Sequence, residues 1–269
     1  MPTRTAADEP VLRVGDRIAP AVRQEIAATW LGRRAYLATW RMQEAVAARV
    51  RAGAPERLLL LEHDPVYTIG RRGSLDHLLA APADLRAMGA TAYRVDRGGD
   101  ITYHGPGQLV GYPIVRLGDG PDLGAYVRSI EAALIDTLAD EGVAAWTITG
   151  KTGVWVALAK GREAKIAAIG VRVSRGVTTH GFALNVSTDL DAFGRILPCG
   201  FAHEVASLAR LGVDASLVRV AERCALALSA RLGRSLGWDP AGPVTSEADI
   251  APDSPVRAAA DLLAEALPA

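Results

Sequence analysis

Three features of this sequence could do chemistry together: a cysteine, a lysine and a polar stretch rich in glycine. Cys199 stands between Pro198, which fixes the backbone before the thiol, and Gly200, which leaves room after it. A thiol on a tight, open turn is accessible, and its thiolate is a strong nucleophile. The pattern predicts nucleophilic catalysis, and the alternative is that Cys199 is a small buried hydrophobe.

Lys165 begins a run typical of a strand, and strict alternation would place it on the apolar face with Ala167 and Ile169. Burial favours the neutral amine, which is a base that can carry a proton. The alternative is that Lys165 only starts the strand and extends its amine to water. Of the 30 basic residues only three are lysines, which indicates places where arginine would not serve, because arginine cannot lose its proton.

Residues 97–108 hold four glycines, one proline and six hydrogen-bonding side chains. Apolar runs at 91–95 and 109–115 flank them, and both are typical of strands. Glycine lets a backbone approach a ligand, and the polar side chains supply donors and acceptors at the same place. We interpret this stretch as a loop between two strands that forms the wall of a binding site, with a glycine-rich hairpin turn as the alternative.

The remaining histidines and cysteine give weaker signals. A zinc site that combines Cys199 and His203 is disfavoured because no pair of candidate ligands has the spacing typical of zinc. His63 and His77 are most simply surface or loop residues. Cys224 lies on the apolar side of a helical pattern, which predicts a buried structural thiol.

The elements that must position these residues follow from hydrophobic periodicity. Helical spacing predicts helices at 21–53, 82–89, 123–138 and 217–232. Short apolar runs predict strands at 58–61, 66–69, 146–148 and 153–158, and a hairpin of 165–173 with 178–186. Strands and helices mix without a regular βαβ alternation, which predicts an α+β fold.

Composition limits the classes of function. The chain has 269 residues, and its 30 basic and 30 acidic side chains cancel, which argues against nucleic acid and membrane surfaces as partners. Two cysteines are too few for a disulfide scaffold, and the start has no signal peptide pattern, so we expect a cytoplasmic location. We expect a flexible segment at 1–20, a catalytic domain at 21–238 and a peripheral tail at 239–269.

Five blocks of residues follow one another in a specific order along the chain. The block at 97–108 contains Arg-Gly-Gly followed by Thr-Tyr-His-Gly-Pro-Gly-Gln. The other blocks are Gly-Val-Trp-Val at 153–156, Lys-Ile-Ala-Ala-Ile-Gly at 165–170, His-Gly-Phe-Ala-Leu-Asn at 180–185 and Pro-Cys-Gly at 198–200. Over roughly residues 30–235 these blocks resemble the lipoyl (octanoyl) transferase family, and the form of the first block differs from that of the ATP-using lipoate ligases.

The resemblance implies a biotin/lipoate protein ligase-like fold, with a central mixed sheet flanked by helices. It implies transfer of an octanoyl group to a lysine, with Cys199 as the nucleophile that carries the thioester and Lys165 as its proton-handling partner. It also assigns an acyl site to Arg97, Gly98, Gly99, Asp100, Ile101, Thr102, Tyr103, His104, Ala168, Ile169, Gly170, Gly181, Phe182 and Ala183.

The resemblance implies partners as well, and neither a cofactor nor a metal. The donor would be octanoyl-acyl carrier protein, and the acceptors lipoyl domains of 2-oxoacid dehydrogenase complexes and the glycine cleavage H protein. Acyl carrier proteins are acidic, so the basic pairs at 33–34 and 71–72 either dock the carrier or are solvated charges. The alternatives for the whole chain are an ATP-dependent lipoate or biotin ligase and a non-catalytic acyl-binding module.

Overall fold

The structure is a computed structural model that describes residues 24–197 and 204–265. The strands are β1 (Glu25–Arg34), β2 (Glu56–His63), β3 (Val66–Ile69), β4 (Thr91–Arg94), β5 (Ile101–His104), β6 (Gln108–Ile114), β7 (Ala145–Ile148), β8 (Lys151–Ala157), β9 (Glu163–Ser174), β10 (Val177–Asn185) and β11 (Ser235–Trp238). The α-helices are α1 (Tyr36–Arg51), α2 (Pro82–Ala87), α3 (Leu123–Asp140), α4 (Leu217–Arg231) and α5 (Leu262–Glu265).

The strands form two sheets. The larger sheet has the order β11-β1-β2-β6-β10-β9-β8-β7 and is mixed, because β1 pairs in parallel with β2 and β11 while the other pairs are antiparallel. The smaller sheet has the order β4-β3-β5. Helices pack on both faces of the larger sheet, so the predicted α+β class is confirmed.

Four consecutive leucines in β2, residues 58–61, show how the layers are arranged. All four are fully buried, and they alternate between two hydrophobic clusters. Leu58 and Leu60 face α3 and α4, whereas Leu59 and Leu61 face α1. A continuous apolar run is what a strand needs when both faces of its sheet are covered. Helix α1 also contacts the smaller sheet, so it lies between the two sheets.

The helix predicted over residues 21–53 is wrong in its first half. Residues 25–34 form β1, and only 36–51 are helical. Alanine and glutamate favour a helix in isolation, but β1 lies between β2 and β11, and its Ile26 and Ala28 are fully buried. Tertiary pairing therefore overrides local preference here.

The polar stretch at 97–108 is also more regular than the predicted loop. Its middle is the strand β5, which pairs antiparallel with β3. The stretch thus has three parts. It begins with the connection from β4, continues as the short strand β5 in the smaller sheet, and ends in a tight turn into β6 of the larger sheet. It therefore joins the two sheets.

The segment after β11 runs along α1 and the smaller sheet. Ile250 and Val256 are buried in a cluster with Tyr36 from α1, and the Asp261 carboxylate accepts a hydrogen bond from Ala92 N at 2.9 Å on edge strand β4. Covering an edge strand in this way satisfies a backbone donor that would otherwise be open to pairing. None of the helices in the described ranges combines the length and apolar character that a membrane crossing requires.

Candidate active site

A cavity of about 1290 Å³ opens where the β4–β5 connection meets β9 and β10. Most of the residues that the sequence predicted for the acyl site line this cavity. These are Arg97, Gly98, Gly99, Asp100, Ile101, Thr102, His104, Ala168, Ile169, Gly170, Gly181, Phe182 and Ala183. Lys165 lies on the same wall.

Tyr103 is placed differently from the rest of that predicted set. Its ring packs against Tyr67 and Phe193 in the core of the smaller sheet. Alternation along β5 explains this position, because Thr102 and His104 then lie on the opposite face and line the cavity.

Two predicted segments that are distant in sequence meet as three consecutive cross-strand pairs. Ala168 pairs with Ala183, Ile169 with Phe182, and the two glycines at 170 and 181 pair with each other. Phe182 belongs to the core shared with α3 and α4, whereas Ala183 belongs to the core shared with α1. The alanine and glycine pairs therefore share one face, and their small size leaves space there.

Glycine at position 170 lets the β4–β5 connection approach β9. A Cβ atom there would lie 2.9 Å from the Gly98 carbonyl oxygen and 3.1 Å from Arg97 Cδ. The Gly98 N–H donates to the Val171 carbonyl at 3.0 Å, which fastens the connection to the strand. Arg97 is buried, and its guanidinium donates to the Thr68 carbonyl at 2.6 Å and to the Thr68 hydroxyl at 2.9 Å. This wall is thus held by both backbone and side-chain bonds.

A chain of amides fixes the tautomer of His104. The Asn185 side-chain amide donates to the Ala206 carbonyl at 2.9 Å, so its oxygen accepts from Gln108 Nε2, also at 2.9 Å. Gln108 Nε2 also donates to the Tyr103 carbonyl, which leaves Gln108 Oε1 as an acceptor. Because Oε1 lies 2.7 Å from His104 Nδ1, that nitrogen carries the proton and Nε2 is the acceptor nitrogen.

His63 is not a surface residue, so that prediction is wrong. It is fully buried at the end of β2, where Nδ1 lies 2.9 Å from the Arg34 carbonyl and Nε2 lies 2.7 Å from the Tyr112 hydroxyl. The carbonyl can only accept, so Nδ1 carries the proton and the Tyr112 hydroxyl donates to Nε2. Tyr36 contacts both imidazoles, because its ring centroid lies 5.1 Å from that of His63 and 6.2 Å from that of His104.

Both imidazoles are held neutral. Burial lowers the pKa of His63 to about 4, against a smaller opposing effect of its backbone hydrogen bond. Burial, the neighbouring His63 and the Arg97 guanidinium lower the pKa of His104 to about 3. The cavity floor therefore offers a neutral imidazole with a defined acceptor nitrogen rather than a cation.

His180 occupies a backbone position that the sequence does not reveal. It has φ +57° inside β10, and its ring turns toward Trp40 and Tyr112 on the α1 side. Its Nε2 lies 2.7 Å from an Asp96 carboxylate oxygen, whose other oxygen lies 2.7 Å from Arg172. Burial alone would raise the pKa of Asp96, but the hydrogen bond and charge of His180 together with Arg172 lower it overall. This pair anchors the residue that precedes Arg97.

Lys165 is not on the face that strict alternation predicted. A β-bulge shifts the register between β8 and β9, so Val154 pairs with Ala167 while Trp155 pairs with Lys165. Ile166 and Ala167 both enter the core shared with α3 and α4, and Lys165 lies on the opposite face. Bulges insert an extra residue and re-aim the side chains that follow. As a result the amine is half-buried at the cavity instead of buried in the core.

The chain on both sides of the predicted nucleophile meets this cavity. Lys165 N–H donates to the Glu204 carbonyl at 2.9 Å, and Ala206 N–H donates to the Lys165 carbonyl at 3.0 Å. Leu197 N–H donates to the His77 carbonyl at 2.8 Å, and both Leu197 and Glu204 line the cavity. Pro198, Cys199, Gly200 and His203 lie outside the described residues.

Cys224 is fully buried on α4, as the sequence predicted. Burial raises the pKa of its thiol to about 12, against a smaller opposing effect of a hydrogen bond with Thr137. This thiol is therefore protonated and structural. Over residues 24–197 and 204–265, no group of three or more histidine, cysteine, aspartate or glutamate side chains is arranged to hold a metal ion.

A family model and several named relatives are similar to this chain over most of its length. The model of the family described as the lipoyl protein ligase A/B catalytic domain matches residues 35–229. An octanoyltransferase from Solibacter usitatus is 55% identical to this chain and covers 72% of it and 86% of its own length. An octanoyltransferase from Chloroflexus aurantiacus is 47% identical and covers 78% of this chain and 94% of its own length.

Solved structures are similar to this chain in fold at lower identity. A lipoate-protein ligase A bound with ATP has a TM-score of 0.68 at 19% identity, over 83% of this chain and 90% of its own. A bi-partite lipoate protein ligase from Thermoplasma acidophilum has a TM-score of 0.67 at 20% identity, over 83% of this chain and 89% of its own. The predicted ligase-like fold is confirmed. On the family match and the identity to its named relatives, this chain belongs to the octanoyltransferase family, which carries the lipoyl protein ligase A/B catalytic domain.

Proposed function

We propose that this chain transfers an octanoyl group from octanoyl-acyl carrier protein to a lysine of a lipoyl domain, through a thioester on Cys199. The observation that carries the proposal is the match to curated octanoyltransferases at 55% and 47% identity over most of the chain. The cavity supports it, because Lys165 and the small-residue wall of β9 and β10 line the same space.

In the first half-reaction, neutral Lys165 takes the proton of the Cys199 thiol. The thiolate attacks the carbonyl carbon of the donor thioester, a new carbon–sulfur bond forms, and the carrier's carbon–sulfur bond breaks. The Lys165 ammonium returns its proton to the departing carrier thiolate. One thioester replaces another, so the step needs no ATP.

In the second half-reaction, the amine of the acceptor lysine attacks the thioester carbonyl carbon. The carbon–nitrogen bond of an amide forms as the bond to Cys199 sulfur breaks. Lys165 relays the proton that the amine loses to the Cys199 thiolate, which restores the thiol. A lysine suits both steps because it changes protonation state, whereas arginine stays charged.

The position of Cys199 in the chain agrees with this role. It follows Leu197 by two residues and precedes Glu204 by five, and both of those residues line the cavity. The described residues on either side of Cys199 in the sequence therefore line the same cavity as Lys165.

The wall of the cavity provides two environments for the acyl thioester. Small side chains at 168 and 183, with Gly170 and Gly181 on the same face of the sheet, form an apolar slot for the octanoyl chain. Backbone N–H groups of the glycine-rich connection are the candidate donors to the oxyanion. Gly98 is not available for this, because its N–H already donates to Val171.

The volume of the cavity leaves room for more than the acyl chain. Drug-sized ligands occupy pockets of about 300–1,000 Å³, and this cavity measures about 1290 Å³. The additional space suits the arm that delivers the octanoyl group and the acceptor lysine that removes it. The acceptors we propose are the lipoyl domains of 2-oxoacid dehydrogenase complexes and the glycine cleavage H protein.

Of the two basic pairs, residues 71–72 are better placed to dock an acidic carrier. Arg71 and Arg72 are exposed, and Arg72 lines the cavity, as does the exposed Leu79. Arg33 instead pairs with Glu62 at 3.1 Å. Attraction between exposed charges is screened by salt, so docking of this kind weakens as ionic strength rises.

Charge reversal tests the docking surface. We expect Arg71→Glu with Arg72→Glu to raise the apparent KM for the carrier several-fold and to flatten its salt dependence. The control is Arg219→Glu with Arg231→Glu, two half-exposed arginines of α4, a helix whose described residues do not line the cavity. An unchanged KM and salt dependence for the 71–72 variant would reject this surface.

Intact-protein mass spectrometry tests the covalent intermediate. The wild-type chain incubated with octanoyl-acyl carrier protein should gain one octanoyl group, and Cys199→Ser should not gain it as a thioester. Cys224→Ala is the matched control, because its thiol is buried and protonated, and it should acylate normally. A thioester that persists in Cys199→Ser would contradict the assignment of the nucleophile.

The same experiment separates the alternatives. An ATP-dependent ligase would release pyrophosphate and would not need Cys199, and the named relatives do not favour that activity. A non-catalytic acyl-binding module would bind octanoyl-acyl carrier protein without a covalent mass increase. Only the transferase predicts both the mass increase without ATP and its dependence on Cys199.

A further inference from the structure

Two of the three lysines in the sequence lie over the ring of one tryptophan. The Nζ atom of Lys165 is 4.9 Å from the ring centroid of Trp155, and that of Lys151 is 5.4 Å from it. Both distances are within the roughly 6 Å over which a cation and an aromatic face attract each other. The third lysine, Lys160, is exposed in the turn between β8 and β9.

Trp155 is a rigid support for Lys165. It is 2% exposed, it is the cross-strand partner of Lys165 at the β-bulge, and its indole N–H donates to the Lys151 carbonyl at 3.4 Å. Gly153 lies against the lysine stem, because a Cβ atom there would be 3.4 Å from Lys165 Cε and 3.5 Å from Lys165 Cδ. The bulge and the ring therefore define where the amine lies.

We propose that Trp155 is a positioning residue that holds the Lys165 ammonium in the cavity, and that Lys151 on the same ring limits how strongly that charge is held. This inference rests on the proposed function only where it concerns turnover. The face of an indole attracts an ammonium more weakly than a carboxylate does, so the ring favours the charged amine without fixing it in that state. Lys151 repels the same charge, because the two Nζ atoms are at most about 10 Å apart through the ring.

Such a balance suits a lysine that must gain and lose a proton in each cycle. When Lys165 takes the thiol proton, the ring stabilises the new cation beside the thiolate. When the proton leaves, the adjacent charge of Lys151 favours the neutral amine. The two neighbours thus act on the protonation of Lys165 in opposite directions.

Other charged groups face the same region and stay constant in the test. Glu131 of α3 accepts from Gly153 N–H at 3.0 Å, and Glu204 is paired with Arg162 and Arg210 at 2.8 Å. From the β4–β5 connection, Arg97 and Asp100 line the same cavity. None of these groups is altered by a change at 155 or 151, so the difference between variants isolates the ring and the second cation.

The protonation of Lys165 is measured directly, without the transfer reaction. The chain is labelled with acetic anhydride over a pH series, and the acetylation of Lys165 is followed by peptide mass spectrometry. We expect Trp155→Leu to lower the pH midpoint of labelling by about 0.5–1 unit, because the attraction for the ammonium is lost. We expect Lys151→Gln to raise the midpoint by about 0.3 unit, because repulsion is lost.

The opposite signs distinguish this role from a merely structural one. Loosened packing would expose Lys165 and move its midpoint in the same direction in both variants. Trp155→Phe keeps an aromatic face and should restore most of the wild-type midpoint. The controls are Trp238→Leu, which removes an exposed tryptophan on β11 at the opposite edge of the larger sheet, and Lys160→Gln; both should leave the midpoint unchanged. Equal midpoints in Trp155→Leu and wild type would overturn the proposal.

Turnover then links the two proposals. The pH profile of octanoyl adduct formation should shift in each variant in the same direction as the labelling midpoint. If the wild-type chain forms no adduct while the labelling shifts are observed, the proposed function fails and the positioning role stands. If the adduct forms and neither variant shifts the labelling, the positioning role fails alone.

Discussion

The two walls of the cavity are built in different ways. Around His104, a chain of hydrogen bonds runs through Gln108 and Asn185 to backbone carbonyls. Around Lys165, the backbone is held by hydrogen bonds with Glu204 and Ala206, and the half-buried side chain lies against the ring of Trp155. One wall defines a single proton arrangement, and the other supports a group that can change its protonation.

The difference follows from the cost of leaving buried polar groups unsatisfied. A fully buried imidazole without partners is unfavourable, so the first wall carries a hydrogen-bond network, and burial keeps its histidines neutral. A half-buried lysine can exchange protons with a neighbouring group because its amine keeps contact with the cavity. We therefore expect the first wall to contribute to binding and stability, and the second to contribute to rate.

The largest expected effect is on the reaction rate, from a change at Lys165. Lys165→Arg should retain the fold but lose about 10²–10⁴-fold in the rate of octanoyl adduct formation, because arginine cannot act as the proton carrier. Lys160→Arg is the matched control on an exposed turn and should react normally. A Lys165→Arg variant that forms the adduct at the wild-type rate would return this residue to a structural role.

The two buried histidines, His63 and His104, lead us to expect that the folded chain loses stability in acid. The pKa values of His63 and His104, about 4 and about 3 in the folded chain, are below the ordinary value of 6.5. Unfolding restores that value, so the unfolded chain binds more protons below pH 6.5. The free energy of unfolding should therefore be highest above pH 6.5 and fall toward pH 4 by about 2.7 kcal/mol per pH unit, with two groups at about 1.4 each.

Urea titrations at several pH values measure this slope. Replacing one of the two groups in His63→Gln should roughly halve the acid-side slope. Lys165→Arg, a change on the other wall, should leave the slope as it is. Equal slopes in His63→Gln and wild type would show that these histidines do not dominate acid unfolding, and the contrast between the two walls would be lost.

The smallest expected effect concerns Gly170, where strand β9 lies against the β4–β5 connection. The Cβ atom of Gly170→Ala would crowd the Gly98 carbonyl at 2.9 Å and displace the β4–β5 connection. We expect KM for the octanoyl donor to rise several-fold, with a smaller change in kcat. Gly194→Ala adds the same methyl group to the cavity wall where no atom of the described residues lies within 4 Å, so it should change KM less. Equal effects of the two variants would show that the close contact between Gly170 and Gly98 does not affect binding of the donor.

Much of the site could be predicted from local sequence. The hairpin of β9 and β10 was predicted from alternation, and its loop and strands are close to the observed 163–174 and 177–185. The polar stretch at 97–108 was predicted as a wall of a binding site, and most of its predicted residues line the cavity. The roles of Cys199 and Lys165 in catalysis stay predictions.

Other features had no readable local signal. Residues 25–34 have a composition typical of a helix, and only the parallel partners β2 and β11 make them a strand. His63 appeared to be a surface residue because its partner Tyr112 is 49 residues away. The left-handed backbone of His180 depends on contacts with α1 and with Asp96.

The sequence by itself determined which groups are available: one cysteine between proline and glycine, a lysine in a chain that favours arginine, and a glycine-rich polar stretch. It also determined the periodic elements, because amphipathic spacing is a local property. The tertiary structure alone decided that Lys165 faces the cavity, because the β-bulge opposite Trp155 depends on how β8 and β9 pair. A shift of one residue reverses the face of a side chain, and pairing between strands, which no local pattern encodes, sets that register.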